Sequence, residues 1–210
     1  MTILFLTDSL SLPRDGKTEK VKYENTYPFL LKEKFKEHNF IFLGIGGATI
    51  TDLYRQSSYY KGINPDLVFI QCGIVDCAPR SFRKIETKII NILRLRFLFK
   101  PFLKSLTKYR KYRYTDQKVF HDLISKIKND YFSNSKVYGI GILPAGKEYE
   151  QKLVGITKSI ENYNKIIADN LMYIDNSDFP KDGVLSDFHH LNKKGHNVIF
   201  NKIISILETI

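Results

Sequence analysis

Ile3-Leu4-Phe5-Leu6-Thr7-Asp8-Ser9-Leu10-Ser11 is a short apolar run that passes directly into a polar turn. A run of this length with no polar alternation reads as a strand buried on both faces, and Ser9 stands where the chain leaves it. The same pattern recurs outward along the chain. Apolar, β-branched or aromatic runs lie at 40–43, 67–70, 137–142 and 172–174. Between them are helix-length stretches at 27–37, 51–60, 83–99, 116–131, 157–170 and 193–207. Strands alternating with helices at this spacing predict an α/β domain, a mostly parallel sheet covered by helices on both sides. In such a sheet ligands bind beyond the carboxyl ends of the strands, so chemistry is to be sought just after each one.

With 210 residues, 43% of them hydrophobic and 26% charged, the chain has the profile of one globular domain over 1–210. No stretch approaches the roughly 18 uncharged apolar residues of a membrane span. The apolar N-terminus stops at Asp8, has no basic lead-in and falls short of the roughly 7 to 15 apolar residues of a secretory signal. A cytoplasmic protein is expected. Cys72 and Cys77 match neither a zinc pair nor a redox Cys-x-x-Cys and are expected as free thiols, Cys72 as a small core residue.

Each strand end carries a distinctive block. After the first, Ser9 is exposed to the crevice if it is a nucleophile, or caps a helical turn. After the second stands Gly44-Ile45-Gly46-Gly47-Ala48-Thr49, where glycines let backbone N–H groups face a ligand or simply form a tight turn. It has neither the Gly-Lys-Ser/Thr of a phosphate loop nor a dinucleotide fingerprint. After the third comes Gln71-Cys72-Gly73-Ile74-Val75-Asp76, in which Asp76 serves either the site or a structural cap. Near the C-terminus, Asp187-Phe188-His189-His190 precedes the last helix. An acid three residues before a histidine can orient one ring nitrogen while the other faces the crevice. Metal binding is the alternative, but adjacent His189 and His190 cannot easily face one ion together, and no metal is expected.

The charge is concentrated. Residues 80–114 hold twelve Lys or Arg and one acid, Glu86, whereas the remaining 175 positions carry equal numbers of basic and acidic side chains. Ile85, Ile89, Ile92 and Leu93 fall on one face of a helix that Pro101 should end or kink. Lys108 to Tyr114 alternates cations with tyrosines. This basic helical insertion suits an anionic membrane leaflet or an anionic glycan better than nucleic acid; the alternative is a helical cap whose outer face is basic.

The four blocks, in this order, resemble those of the SGNH (GDSL-like) serine hydrolases, over Leu6 to His196. The resemblance implies the SGNH hydrolase fold, a flavodoxin-like five-stranded parallel sheet in three layers. It implies Ser9 as nucleophile, His190 as base and Asp187 as the residue that orients it. Ser9 and Gly47 correspond to backbone oxyanion donors, and Asp8, Gly73, Asp76 and Arg80 are expected to line the substrate. Two departures stand out. Thr7 replaces an opening glycine, and Val75 stands where an asparagine usually supplies a third oxyanion donor. Gln71, Arg80 or a backbone N–H is the candidate replacement; otherwise the enzyme is slow. Gly73 to Arg80 further resembles members found near bacterial surface-polysaccharide genes.

The implied activity is hydrolysis of acyl, most simply O-acetyl, esters on a carbohydrate or glycan precursor, with no cofactor. The setting is cytoplasmic or peripheral to the inner membrane. A sugar O-acyltransferase and a non-catalytic anion- or membrane-binding module remain the alternatives.

Overall fold

The computed structural model describes residues 1–16, 19–110 and 112–210, the side chains of Lys84, Arg96 and Lys104 apart. Five parallel strands form the sheet: β1 (Thr2–Thr7), β2 (Asn39–Gly44), β3 (Leu67–Gln71), β4 (Lys136–Ile140) and β5 (Met172–Ile174), in the order β2-β1-β3-β4-β5. This is the expected flavodoxin-like order. The register brings the ends level: Thr7 lies opposite both Gly44 and Gln71, so the segments after β1, β2 and β3 open at one rim.

Alternation along the strands explains the three layers. Leu4, Leu6, Val68 and Ile70 face one side, where they pack with Ile50 and Leu53 of α2 (Ile50–Tyr60), Phe120 and Ile124 of α7 (Gln117–Lys126), and Ile160, Tyr163 and Ile167 of α9 (Ile156–Asn170). Ile3, Phe5, Leu67 and Phe69 face the other, against Tyr27 and Leu31 of α1 (Tyr27–Lys34) and Ile199, Ile203 and Leu207 of α10 (Lys193–Leu207). On that second side an aromatic row crosses four strands. Phe42 lies 4.7 Å from Phe5, Phe5 stacks on Phe69 at 4.7 Å, and Phe69 stacks on Tyr138 at 5.1 Å. Each pair is directly opposite in the register, which pins the sheet against slippage.

Side chains fix the helix starts. Thr49 and Asp52 form a reciprocal capping box on α2, Asp116 accepts from the Val119 N–H at 3.0 Å to start α7, and Asn192 accepts from Gly195 at 2.9 Å to start α10. Short helices α3 (Ile74–Cys77) and α8 (Lys147–Lys152) follow β3 and β4 at the rim.

Several expectations are corrected. The helix read over 83–99 is broken: α4 (Lys84–Ile92) ends before Arg94, whose φ of 53° is left-handed, and α5 (Arg96–Phe99) and α6 (Leu103–Arg110) follow. The run 116–131 leaves α-geometry at Ile127 and closes in a π-turn. β2 is only partly buried, because it is a sheet edge, where the sequence pattern suggested burial on both faces. The insertion is stapled at its base. Arg80 and Tyr112 form an antiparallel bridge with the Arg80 N–H donating to the Tyr112 carbonyl at 2.7 Å, and Arg110 grips Glu86 through two bonds of 2.8 and 3.0 Å. Among the described residues of 81–114, only Ser81 and Thr107 are buried. No described helix is long and apolar enough to cross a membrane.

Candidate active site

Beyond Thr7 the chain bends sharply. The Asp8 N–H donates to the Gln71 carbonyl at 2.9 Å, extending the β1–β3 pairing by one bond, and a single 3-10 turn, Ser9–Ser11, then begins. Asp8 caps this turn by accepting from the Leu10 N–H at 2.9 Å. Ser9 is thereby held at the head of the turn, at the rim. Its backbone N–H and that of Gly47 have no hydrogen-bond acceptor among the described residues. Gly47 has a left-handed φ of 70°, a conformation that glycine adopts without strain.

The opposing side chains come from the loop before α10. Val184 and Leu191 pair as an isolated antiparallel bridge, and the Leu185 N–H donates to the His190 carbonyl at 2.8 Å, so residues 185–190 form a closed loop. Phe188 at its tip has a φ of 73°, a costly geometry for a non-glycine residue, of order 1 kcal/mol or more. This reversal lets Asp187 fold back on the residues after it. Its Oδ2 accepts from His190 Nδ1 at 2.7 Å, and its Oδ1 accepts from the backbone N–H groups of His190 and His189 at 3.0 and 3.3 Å. His190 Nε2 lies 2.9 Å from Ser9 Oγ. The sequence-derived trio Ser9, His190 and Asp187 is thus joined in one hydrogen-bonded chain.

The electrostatics define the tautomer. Burial alone would raise the Asp187 carboxyl, but the hydrogen bonds from the His190 ring and backbone outweigh it and hold the group well below the ordinary carboxylate range. An ionised Asp187 can only accept, so Nδ1 of a neutral His190 carries the proton and Nε2 presents its lone pair to Ser9. Next to it, burial and then the proximity of His190 lower His189 to about 4, so it is neutral near pH 7. His189 stacks on Tyr149 at 5.6 Å and so forms one wall of the site.

An open cleft of about 400 Å³ leads to Ser9 and His190. Gly47, Val75 and Arg80 line it, as do Tyr114, read from the sequence only as the end of the basic segment, and Arg14 and Tyr149, which sequence reasoning did not single out. Tyr149 follows β4 and was accessible to the rule that sites form after strands; Arg14 carried no local signal. The Arg80 guanidinium lies over the Tyr114 ring at 4.2 Å.

Three expected substrate contacts are corrected. Asp8 is fully buried beneath the turn that it caps, with Oδ2 lacking a partner among the described residues. Burial, reinforced by Asp76 and opposed by the Leu10 hydrogen bond, pushes its carboxyl up to about 7. Asp76 is also fully buried and accepts from the Ile50 N–H at 3.1 Å and from Thr115 Oγ1, so it ties the start of α2 to the segment before α7. Gly73 has a φ of 120°, and a Cβ there would meet Ile142 Cδ1 at 2.6 Å; its role is backbone geometry in a packed core. Gln71 is corrected as an oxyanion replacement as well. It is buried, and its Oε1 accepts from the Tyr27 hydroxyl at 2.7 Å on the α1 side of the sheet.

Asp187, His189 and His190 each bring one ligand-type atom within 4.8 Å of the others. Both ring nitrogens of His190 are already taken by Asp187 and Ser9, and His189 Nδ1 lies 3.1 Å from the Asp187 carbonyl. A metal ion would have to break that chain. His196 lies apart, within α10, with Nδ1 accepting from the Tyr27 N–H at 3.2 Å.

No family model and no curated protein matches the chain by sequence. Solved structures do match. A lipase/acylhydrolase from Enterococcus faecalis is 16% identical, covers 99% of this chain and 95% of its own, and has a TM-score of 0.70. A member of the lipolytic protein G-D-S-L family from Veillonella parvula is 13% identical, with 100% and 99% coverage and a TM-score of 0.64. An acetyl xylan esterase, AlAXEase, is 21% identical, with 98% and 99% coverage and a TM-score of 0.61. At these identities the likeness is one of architecture: over almost its whole length, the chain has the SGNH/GDSL hydrolase fold.

Proposed function

We propose that this protein is a serine ester hydrolase of the SGNH type. The observation that carries the reading is the chain of two hydrogen bonds, Asp187 to His190 to Ser9, at the mouth of a cleft on the carboxyl rim of the sheet. It is the arrangement needed to raise the nucleophilicity of a hydroxyl. Likeness in fold to lipases and esterases supports the same reading.

In the reaction, His190 Nε2 takes the Ser9 proton as Oγ attacks the ester carbonyl. Asp187 holds the imidazolium that forms. The unoccupied N–H groups of Ser9 and Gly47 receive the developing oxyanion. His190 then returns the proton to the leaving alcohol, and water repeats the sequence on the acyl-enzyme. Val75 offers no hydrogen bond to the oxyanion, so turnover rests on two backbone donors unless the Arg80 side chain contributes.

We take the substrate to be a short acyl ester, with O-acetyl carbohydrate as the favoured class. A narrow apolar niche of about 10 Å³ shares Ile74, Tyr149 and His189 with the cleft, which is room for about one methyl-sized group. The similarity to an acetyl xylan esterase points the same way. Two buried free thiols, Cys72 and Cys77, suit a reducing cytoplasm.

The test is hydrolysis of p-nitrophenyl acetate by the purified protein and by Ser9→Ala, with fluorophosphonate labelling mapped by mass spectrometry. Turnover lost in the variant and an adduct on Ser9 support the reading; equal background rates and no adduct overturn it in favour of a binding module. Acetate release against acyl transfer to an added sugar then separates hydrolase from transferase.

A further inference from the structure

The surface of residues 84–110 is built against the usual rule for a helix on a globular protein. α4 is amphipathic, but its apolar side is turned to solvent: Ile85, Ile89 and Ile92 are 72%, 51% and 69% exposed. Leu93, Phe97, Leu98, Phe102 and Tyr109 continue the same exposure through α5 and α6. Among the described residues, eight of the sixteen exposed large apolar side chains lie within this stretch. Such a concentration marks an interaction surface.

The cations decide its partner. Glu86, the lone acid between 80 and 114, is taken up by Arg110. Lys88, Arg94, Lys100 and Lys108 are exposed and pair with no acid among the described residues. We infer that this face docks onto an anionic lipid bilayer, with the isoleucines and phenylalanines entering the headgroup–acyl boundary and the cations meeting lipid phosphates. Only a partner that is negative outside and hydrocarbon within uses both sets of groups. Nucleic acid would leave the branched aliphatic side chains without a complement, as would a glycan. A second copy of the chain would oppose the same uncompensated positive charge to itself.

The stapled base of the segment lies beside the cleft, since Arg80 and Tyr114 line it. Docking would therefore set the cleft rim at the leaflet, where acyl esters anchored in the membrane are concentrated. That consequence rests on the esterase reading; the docking itself does not.

The experiment is co-sedimentation of the intact protein with vesicles of phosphatidylcholine alone and of phosphatidylcholine containing phosphatidylglycerol, at low and high salt. Binding to the anionic vesicles is expected, weakened at least about tenfold by Ile85→Ser/Ile89→Ser/Ile92→Ser and similarly by Lys88→Gln/Lys100→Gln/Lys108→Gln. Both variants should keep the wild-type circular dichroism and p-nitrophenyl acetate turnover. Ser9→Ala should sediment like wild type, so loss of catalysis and loss of docking are separate results. Absence of vesicle binding overturns the inference. So does retention on an acidic polysaccharide with vesicle binding indifferent to the isoleucine changes, which assigns the face to a polyanion. A dimer in lipid-free solution that the isoleucine variant dissociates also overturns it.

Discussion

Asp187 holds His190 at two points: Oδ2 accepts from Nδ1 at 2.7 Å and Oδ1 from the backbone N–H at 3.0 Å. The first bond sets the tautomer and the second sets the ring's place on the loop. In Asp187→Asn the amide can donate to Nδ1 and turn the wrong nitrogen state toward Ser9. A fall in kcat of about 1,000- to 10,000-fold on p-nitrophenyl acetate, with KM little changed, is expected. A loss under about tenfold would separate Asp187 from the chemistry.

Ser9 and His190 act as one unit if proton transfer accompanies attack. Ser9→Ala and His190→Ala should each remove at least about 1,000-fold in kcat, and the double variant should be no slower than the worse single one. Additive losses in steady-state rates would contradict a shared step.

Val75 lines the cleft with a side chain that cannot donate. Val75→Asn should raise kcat by at least about tenfold, since one oxyanion donor is typically worth about 100 to 1,000-fold. Val75→Ala, measured beside it, should leave kcat within about twofold. No gain in the asparagine variant would mean that the oxyanion is already fully served, with Arg80→Ala the next measurement.

Asp8 makes stability fall as pH rises. Its buried carboxyl is pushed up to about 7, above the ordinary value near 3.9, so between these limits the unfolded chain is ionised while the native group keeps its proton. The penalty grows through that window, is level above it, and amounts to something on the order of 4 kcal/mol. Urea midpoints at about pH 5 and about pH 8 should differ less in Asp8→Asn than in wild type. Equal pH dependence in both proteins would show that another group controls it.

His196 acts in the opposite direction. Burial lowers it to about 4, so as pH drops from about 6.5 the unfolded chain binds a proton that the native ring refuses, and stability is lost down to the folded value. At about pH 5 the loss is about 2 kcal/mol. His196→Asn keeps an acceptor near the Tyr27 N–H and should flatten this acid limb in chemical denaturation. An unchanged limb would move the effect to His189.

The strands were legible because their signals are local, and the Asp187–His190 pair because its spacing is. Ser9 is weak alone and was assigned only through the resemblance carried by four blocks in order from Leu6 to His196. Ile3 to Leu6 is an unbroken apolar run, and Asp187 lies three residues before His190, within reach of one loop. Asp8, Gly73 and Asp76 stand in the right blocks but act inward, as cap, turn and helix anchor; a polar residue beside a site has the same spelling whichever way it points. The partner of Asp76, Thr115, is 39 positions away, so only the tertiary fold brings them together. α4 shows the same gap from the other side. Periodicity marked Ile85, Ile89 and Ile92 as one face, but could not say that the rest of the chain leaves that face uncovered.

The hydroxyl of Ser9 and the imidazole of His190 are 181 positions apart in the chain yet within one hydrogen bond in space. During synthesis the first strand leaves the ribosome long before the final loop does. A growing or prematurely released chain thus holds Ser9 without His190 and, on the esterase reading, would have no turnover. On that reading the onset of turnover would time the closure of the whole sheet and make activity itself a clock for completed folding.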